Sequence, residues 1–256
     1  MNGHDQLKNR YCFHCTLALE TALSISSGVA SDVTDAPFIR TTDQRIYIPG
    51  SSIRGAIRAE LERVIAGIGT YMDLKSCSLF DEDENGCAEQ IKRKFESQTD
   101  LKDKDYEEFV DKLCDVCQLF GSTIHGSHIF FEDAFCSQND GVKSCVRDGV
   151  GIDRDTGSAV DGAKYDYEVI ETGQHFSFDM FAENLSDTGK KIINLILALL
   201  KEGIYIGGKK AGGLGKVKLL TEYKITGFDD PKTLWERLSS GSDLLQEVNW
   251  KEDISC

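Results

Sequence analysis

The 256-residue chain is 40% hydrophobic and 28% charged, a balance that supports one large core or two small ones and sets it apart from disordered or fibrous polypeptides. No apolar stretch reaches the ~20 residues of a membrane span; the longest, IINLILALL at 192–200, has nine residues, and the opening MNGHDQLKNR lacks an apolar signal core, so the expected location is the cytoplasm with no membrane partner. A formal charge of −14 argues against a uniformly basic nucleic-acid binder, and nine cysteines, an odd number for a reducing compartment, argue against a disulfide framework.

In chain order, YCFHCTLALETAL (11–23) alternates with period two and predicts a half-buried strand, with Tyr11, Phe13, Cys15, Leu17, Leu19 and Leu23 on one face. Cys12 and Cys15 then point to opposite faces and cannot easily share one metal. Residues 26–50 read as loop, with a short extended piece at RIYI. PGSSIRGAIRAELERVIAGIG predicts a helix capped near Ser51 or Ser52, with Ile53, Ile57, Leu61, Val64 and Ile68 at helical spacing. Between 81 and 116 there are 13 acids and 6 bases, and the charged middle of that segment predicts one or two exposed helices. HIFFEDAF (128–135) predicts a strand, the Gly- and Asp-rich 141–173 a long hairpin, and HFSFDMFAEN a further strand. SDTGKKIINLILALLKEG predicts a helix capped by Ser186 or Asp187 and stopped by Gly203. A glycine-rich loop, a strand over KVKLLTEYKI and a tail helix after Pro231 complete the chain. Without its insertions the order is strand, helix, strand, strand, helix, strand. That predicts an α+β fold with a ferredoxin-like (RRM-like) core.

Three places carry candidate chemistry. GGKKAGGLG lies after a helix and before a strand, the reverse of a dinucleotide or phosphate loop. It reads equally as a tight turn and as backbone that approaches a partner, with Lys209 and Lys210 suited to phosphate. At IPGSSIRGAIR a positive helix end, Ser51, Ser52, and the same-face pair Arg54 and Arg58 suit phosphate, although a capped helix with solvated arginines explains them as well. Cys77, Cys87, Cys114 and Cys117 flank a segment poor in large apolar residues, which predicts a structural four-cysteine zinc site stapling an inserted lobe. The loose spacing of Cys77 and Cys87 leaves room for His125 or His128 to replace either. Cys114-x-x-Cys117 lacks the βαβ setting of a redox pair. Cys136, Cys145 and Cys256 are expected to be free thiols.

YIPGSSIRGAIR, CQLFGS, VGIDRDTGSAVDGAKYDYEVIETGQHF and YIGGKKAGGLGKV occur in this order over roughly residues 10–226. Together they resemble the RAMP superfamily, and within it the repeating backbone subunit of type III CRISPR effector complexes. The resemblance implies one RAMP domain over 1–256 with a thumb-like β-hairpin at 141–175, to which the residues themselves add a zinc-binding lobe at 71–117 and a tail helix at 228–256. It implies that copies stack along a CRISPR guide RNA beside neighbouring RAMP subunits and other subunits of the complex. It also implies that each copy can cut the paired single-stranded target RNA with Mg²⁺ or Mn²⁺. The family motif D-x-P-x-x-[RK] matches TDAPFIR and points to Asp35 as the catalytic carboxylate, with Asp32 second; without it, Asp35 is an ordinary loop aspartate before Ala-Pro. Ser51, Ser52, Arg54, Arg58, Lys209 and Lys210 are implied to hold the guide backbone. A scaffold subunit that binds without cutting, and a guide-processing endoribonuclease, are the alternatives.

Overall fold

The computed structural model describes residues 6–77, 86–96, 110–137, 141–220 and 223–252. Eleven strands and five α-helices are found among them. The strands are β1 (Arg10–Leu19), β2 (Tyr47–Ile48), β3 (Ile129–Phe131), β4 (Ala134–Cys136), β5 (Ser144–Ile152), β6 (Ala159–Ile170), β7 (His175–Glu183), β8 (Ile204–Tyr205), β9 (Lys216–Leu219), β10 (Lys224–Phe228) and β11 (Gln246–Glu247). The helices are α1 (Gly50–Met72), α2 (Cys87–Glu96), α3 (Asp115–Phe120), α4 (Asp187–Glu202) and α5 (Pro231–Ser240).

Nine strands form one antiparallel sheet, and β5 and β6 form a separate hairpin. β1 lies at the centre: β7 pairs along one edge, while β10 (opposite Arg10–His14) and β9 (opposite Leu17–Leu19) share the other. β3 and β4 likewise share the far edge of β7. The predicted continuous strand over 216–225 is therefore two strands that meet different ends of β1. The predicted strand at 128–135 is also two, separated at Glu132 and Asp133.

One face of the sheet is apolar because the period-two pattern of β1 and β7 puts Tyr11, Phe13, Leu17, Phe176, Phe178 and Met180 on it. α1 and α4 cover that face with Ile53, Ile57, Leu61 and Ile65, and with Ile192, Ile193, Ile196 and Leu200. The α1 stripe runs at strict i+4 spacing, so Ile65 faces the core, and Ile68, expected inside, is 44% exposed. α4 follows its sequence signals: the Ser186 hydroxyl accepts the Gly189 amide, and Gly203 ends the helix with a positive φ. α1 departs from them. Pro49 is its cap, Ser51 and Ser52 lie inside the first turn, and no side chain caps it. The helix continues past Gly69 to Met72, and Gly69 is needed because a Cβ there would lie 2.4 Å from the Leu74 carbonyl of the returning chain. Among the described residues no helix is long and apolar enough to cross a membrane.

Candidate functional site

The four cysteines meet. Cys77 follows α1, Cys87 opens α2, Cys114 caps α3 and Cys117 lies in its first turn. The Sγ separations Cys77–Cys87, Cys77–Cys114 and Cys77–Cys117 are 3.5, 3.5 and 3.6 Å. Four sulfurs at ~2.3 Å from a tetrahedral zinc would lie about 3.8 Å apart, so the group needs only a slight expansion to hold one. All four ligand atoms fall within one metal-sized cluster. Two donors already point at the sulfurs: the Cys114 amide at Cys87 Sγ (3.4 Å) and Arg58 Nη2 at Cys117 Sγ (3.3 Å). Hydrogen bonds among the four thiols lower Cys77 and Cys87 and raise Cys114 and Cys117, so the group shares its protons, with the donors on the helix α3 side. The cluster is complete without His125 or His128, whose rings lie 5.2 Å apart and line a different cavity, beside the start of α4.

Arg58 and Arg54 share a face, as expected, but that face is turned inward. Arg58 is 6% exposed; its guanidinium donates to Glu62 Oε1 (2.7 Å), the Gly121 carbonyl (3.0 Å) and Cys117 Sγ. Arg54 donates to the Phe120 carbonyl at 2.5 Å. Both arginines thus clamp α1 to the exit of the cysteine lobe, where CQLFGS returns the chain to the sheet. The positive end of α1 also has a partner: the Gly50 amide donates to Asp133 Oδ1 (2.8 Å), and a Cβ at Gly50 would lie 2.3 Å from the Phe131 carbonyl. An anion arriving at this helix end would meet a carboxylate already in place. Ser51 is exposed and Ser52 half-buried beside it.

Asp35 lies on the segment that runs along the free edge of β6. The Asp35 amide donates to Asp166 Oδ1 (2.7 Å), and the Asp166 amide donates to Asp35 Oδ2 (3.1 Å). Further along, the Glu168 amide donates to the Ala36 carbonyl (2.9 Å), the Phe38 amide to Glu168 Oε2 (2.9 Å), and Arg40 pairs with Glu168. A hydrogen bond from the Thr34 hydroxyl, then one from the Asp35 amide, keeps Asp166 below the usual carboxylate range. Asp32 is exposed, three residues before, in a turn where the Ser31 amide donates to the Thr34 carbonyl.

On the other face of β6, Tyr165 and Tyr167 stack (6.1 Å between centroids), and Lys209 Nζ lies 4.3 and 4.2 Å from their rings. The Tyr165 ring crosses Gly149, where a Cβ would be 2.3 Å from it. Lys209 adopts a positive φ, and Lys210 beside it is exposed. The glycines of this loop approach the chain's own backbone: a Cβ at Gly207 would lie 2.4 Å from the Ser24 carbonyl, and one at Gly215 2.0 Å from that of Ile206. The loop is therefore a fitted piece between Ala22–Ser24 and the hairpin, with Lys209 and Lys210 at its outer bend. Of the remaining thiols, Cys136 is buried, Cys145 donates to Glu171 Oε1 (2.7 Å), and Cys256 lies outside the described residues, as does most of the charged middle of the insert.

Sequence reasoning missed Asp133, Asp166, Glu168 and the tyrosine pair. Their signal was present in part: Lys164, Asp166 and Glu168 alternate with Tyr165 and Tyr167, which predicts a two-faced strand, but not what lies on each face.

Residues 16–218 match the family described as the RAMP superfamily, and the chain belongs to it. Over 234 residues the chain is 26% identical to the protein named CRISPR system Cms endoribonuclease Csm3 of Methanocaldococcus jannaschii, an alignment that covers 83% of this chain and 79% of that protein.

Proposed function

We propose that this protein is a guide-RNA-binding backbone subunit of a type III CRISPR effector complex and cleaves the paired target RNA at Asp35. The observation that carries the reading is the seam between the Asp35 segment and the hairpin: a carboxylate held midway along the β5–β6 hairpin, opposite Asp166, in a superfamily member similar to a named endoribonuclease. The ferredoxin-like core is supported by the pairing of β9 and β10, β1, β7, and β3 and β4 in that spatial order, with both core helices on one face. Within it we assign 71–117 as the zinc-binding lobe, 141–175 as the thumb-like hairpin and 228–256 as a tail. The working location is the cytoplasm, among neighbouring RAMP subunits, other complex subunits and guide and target RNA.

RNA brings its own nucleophile, the 2′-hydroxyl, so the protein has to position and deprotonate rather than attack. Asp35, exposed and with its backbone anchored on Asp166, can accept that proton without moving. A divalent ion, Mg²⁺ or Mn²⁺, would stabilise charge on the phosphate. Among the described residues Asp35 belongs to no group of three metal ligands, so RNA oxygens and water would have to complete such a site. For the guide backbone, Ser51, Lys209 and Lys210 are the exposed candidates, with Ser52 half-buried beside Ser51. Arg54 and Arg58 would act by holding the helix that carries the serines. Such contacts position RNA, and base pairing supplies the sequence. The four-cysteine cluster is assigned to structural zinc.

The test is Asp35→Ala in the assembled complex with Mg²⁺ present. The expected result is a loss of target cutting of about 100-fold or more with guide and target binding retained. Cutting at the original rate would remove Asp35 from the mechanism and favour the scaffold reading. That reading draws support from the tie between Asp35 Oδ2 and the Asp166 amide.

A further inference from the structure

The face of the sheet turned away from the core carries a second group of metal-type ligands. Cys12 and His14 are two apart on β1 and so point to the same side. Asp179 of β7 stands directly opposite His14, and Thr226 of β10 directly opposite Cys12. His14 Nδ1 lies 2.8 Å from Asp179 Oδ1 and 3.7 Å from Cys12 Sγ, and the three donor atoms all fall within 4.8 Å of one another. A tetrahedral ion at ~2.3 Å from sulfur and ~2.0 Å from nitrogen and oxygen would set these separations at about 3.3 Å (N to O) and about 3.5 Å (N to S). His14 Nε2 meets Thr226 Oγ1 at 3.0 Å, the outer hydrogen bond that orients a ligating imidazole.

An interstrand His–Asp pair accounts for two of these residues but not for the thiol. Cys12 is 1% exposed and lies against the same nitrogen that faces the carboxylate. His14 and Asp179 are partly exposed, which leaves one side of the group open. That side adjoins a shallow groove lined by Glu132, Asp133, Ser177 and Asp179, whose carboxylates favour a cation.

We propose that Cys12, His14 and Asp179 form a second metal site for one divalent transition-metal ion of the zinc type, with a fourth position open to solvent. On binding, the Cys12 thiol releases its proton to solvent, while the His14 imidazole keeps one ring proton, placed on Nε2, and offers the Nδ1 lone pair. The ion then takes a thiolate, a neutral imidazole through Nδ1 and a carboxylate, while Nε2–H donates to Thr226. Three protein ligands and an open position distinguish it from the closed four-sulfur cluster. This proposal stands apart from the RNA-cutting one and survives its failure.

Cobalt(II) is the probe, added to the full-length protein as purified. One equivalent should bind with tetrahedral ligand-field absorption and a thiolate-to-cobalt band. Cys12→Ser should remove that band, and His14→Ala should abolish this equivalent. Asp179→Asn, nearly isosteric and so protected against misfolding, should weaken it at least tenfold, and Thr226→Val by about 10- to 100-fold, all with the metal content of the four-cysteine cluster unchanged. The proposal is overturned if wild-type protein takes up no cobalt beyond that cluster, or if the uptake and spectrum are the same in Cys12→Ser and Asp179→Asn.

Discussion

The cysteine lobe and the Asp35 seam both join segments far apart in the chain, but they are held together by different chemistry. In the lobe, four like side chains converge from a loop, a helix start and another helix's cap and first turn, and the joint is made of sulfur. In the seam, almost every bond runs between a backbone amide and a carboxylate or carbonyl: Asp35 to Asp166, Asp166 to Asp35, Phe38 to Glu168 and Glu168 to Ala36. The first kind of joint depends on side-chain identity and announces itself by residue type. The second also needs its carboxylates, but aspartates and glutamates are common in the sequence, and only register decides which of them meet. A metal-ready cluster is therefore brittle to single substitutions, whereas the seam should yield gradually.

The largest expected effect breaks the lobe. Cys114→Ser, or stripping by a chelator, should remove the zinc proposed for that cluster; losing several kcal/mol of metal-linked stability, at ~2–4 °C per kcal/mol, would lower the melting temperature by roughly 10 °C. Metal analysis with calorimetry checks both numbers, and a zinc-free preparation with unchanged melting would show the four thiols to be mere packing. Next is the glycine loop beside the seam. Gly215→Ala forces a Cβ against the Ile206 carbonyl at a φ of +86° and should cost on the order of 3 kcal/mol in a denaturant titration.

Arg58→Met tests the bridge between lobe and core. It strands the Gly121 carbonyl and Glu62, and because Glu62 is partly exposed the cost should be about 2 kcal/mol. A smaller loss would mean that water replaces the guanidinium. Lys209→Ala should cost only ~1 kcal/mol through the lost contact with Tyr165 and Tyr167, yet weaken guide binding measurably at low salt. The smallest structural effect belongs to Asp166→Asn, which should lower melting only slightly while reducing target cutting as the Asp35 segment loosens. Acid does the same. Asp166 titrates below its unfolded value, so its contribution is full above that value and disappears as pH falls through the depressed one. Protection of the Asp35 amide, followed by hydrogen exchange, should decline over that interval and not above it.

How much could be read beforehand follows the same division. Period-two alternation placed Tyr11, Phe13, Leu17, Phe176 and Met180 on the core face, and Ser186 and Gly203 marked both ends of α4, because burial and capping act within a few residues. The split of 216–225 into β9 and β10 was not legible. Both halves are apolar enough for a strand, and only the length of β1 decides that each pairs with a different end. The helix start at Ser51 and Ser52 was misread for a similar reason: the partner of the Gly50 amide is Asp133, 83 residues away.

The sequence by itself determined the order of elements, the apolar faces, the four cysteines and the glycines, since each depends on residue type and local spacing. Tertiary structure alone decided that Arg54 and Arg58 turn inward, that the glycine loop closes on its own chain, that Asp166 holds Asp35, and that Cys12, His14 and Asp179 share one patch of sheet. These are matters of register and close approach between distant segments, where the energy lies in pairs of residues and no single position carries the signal.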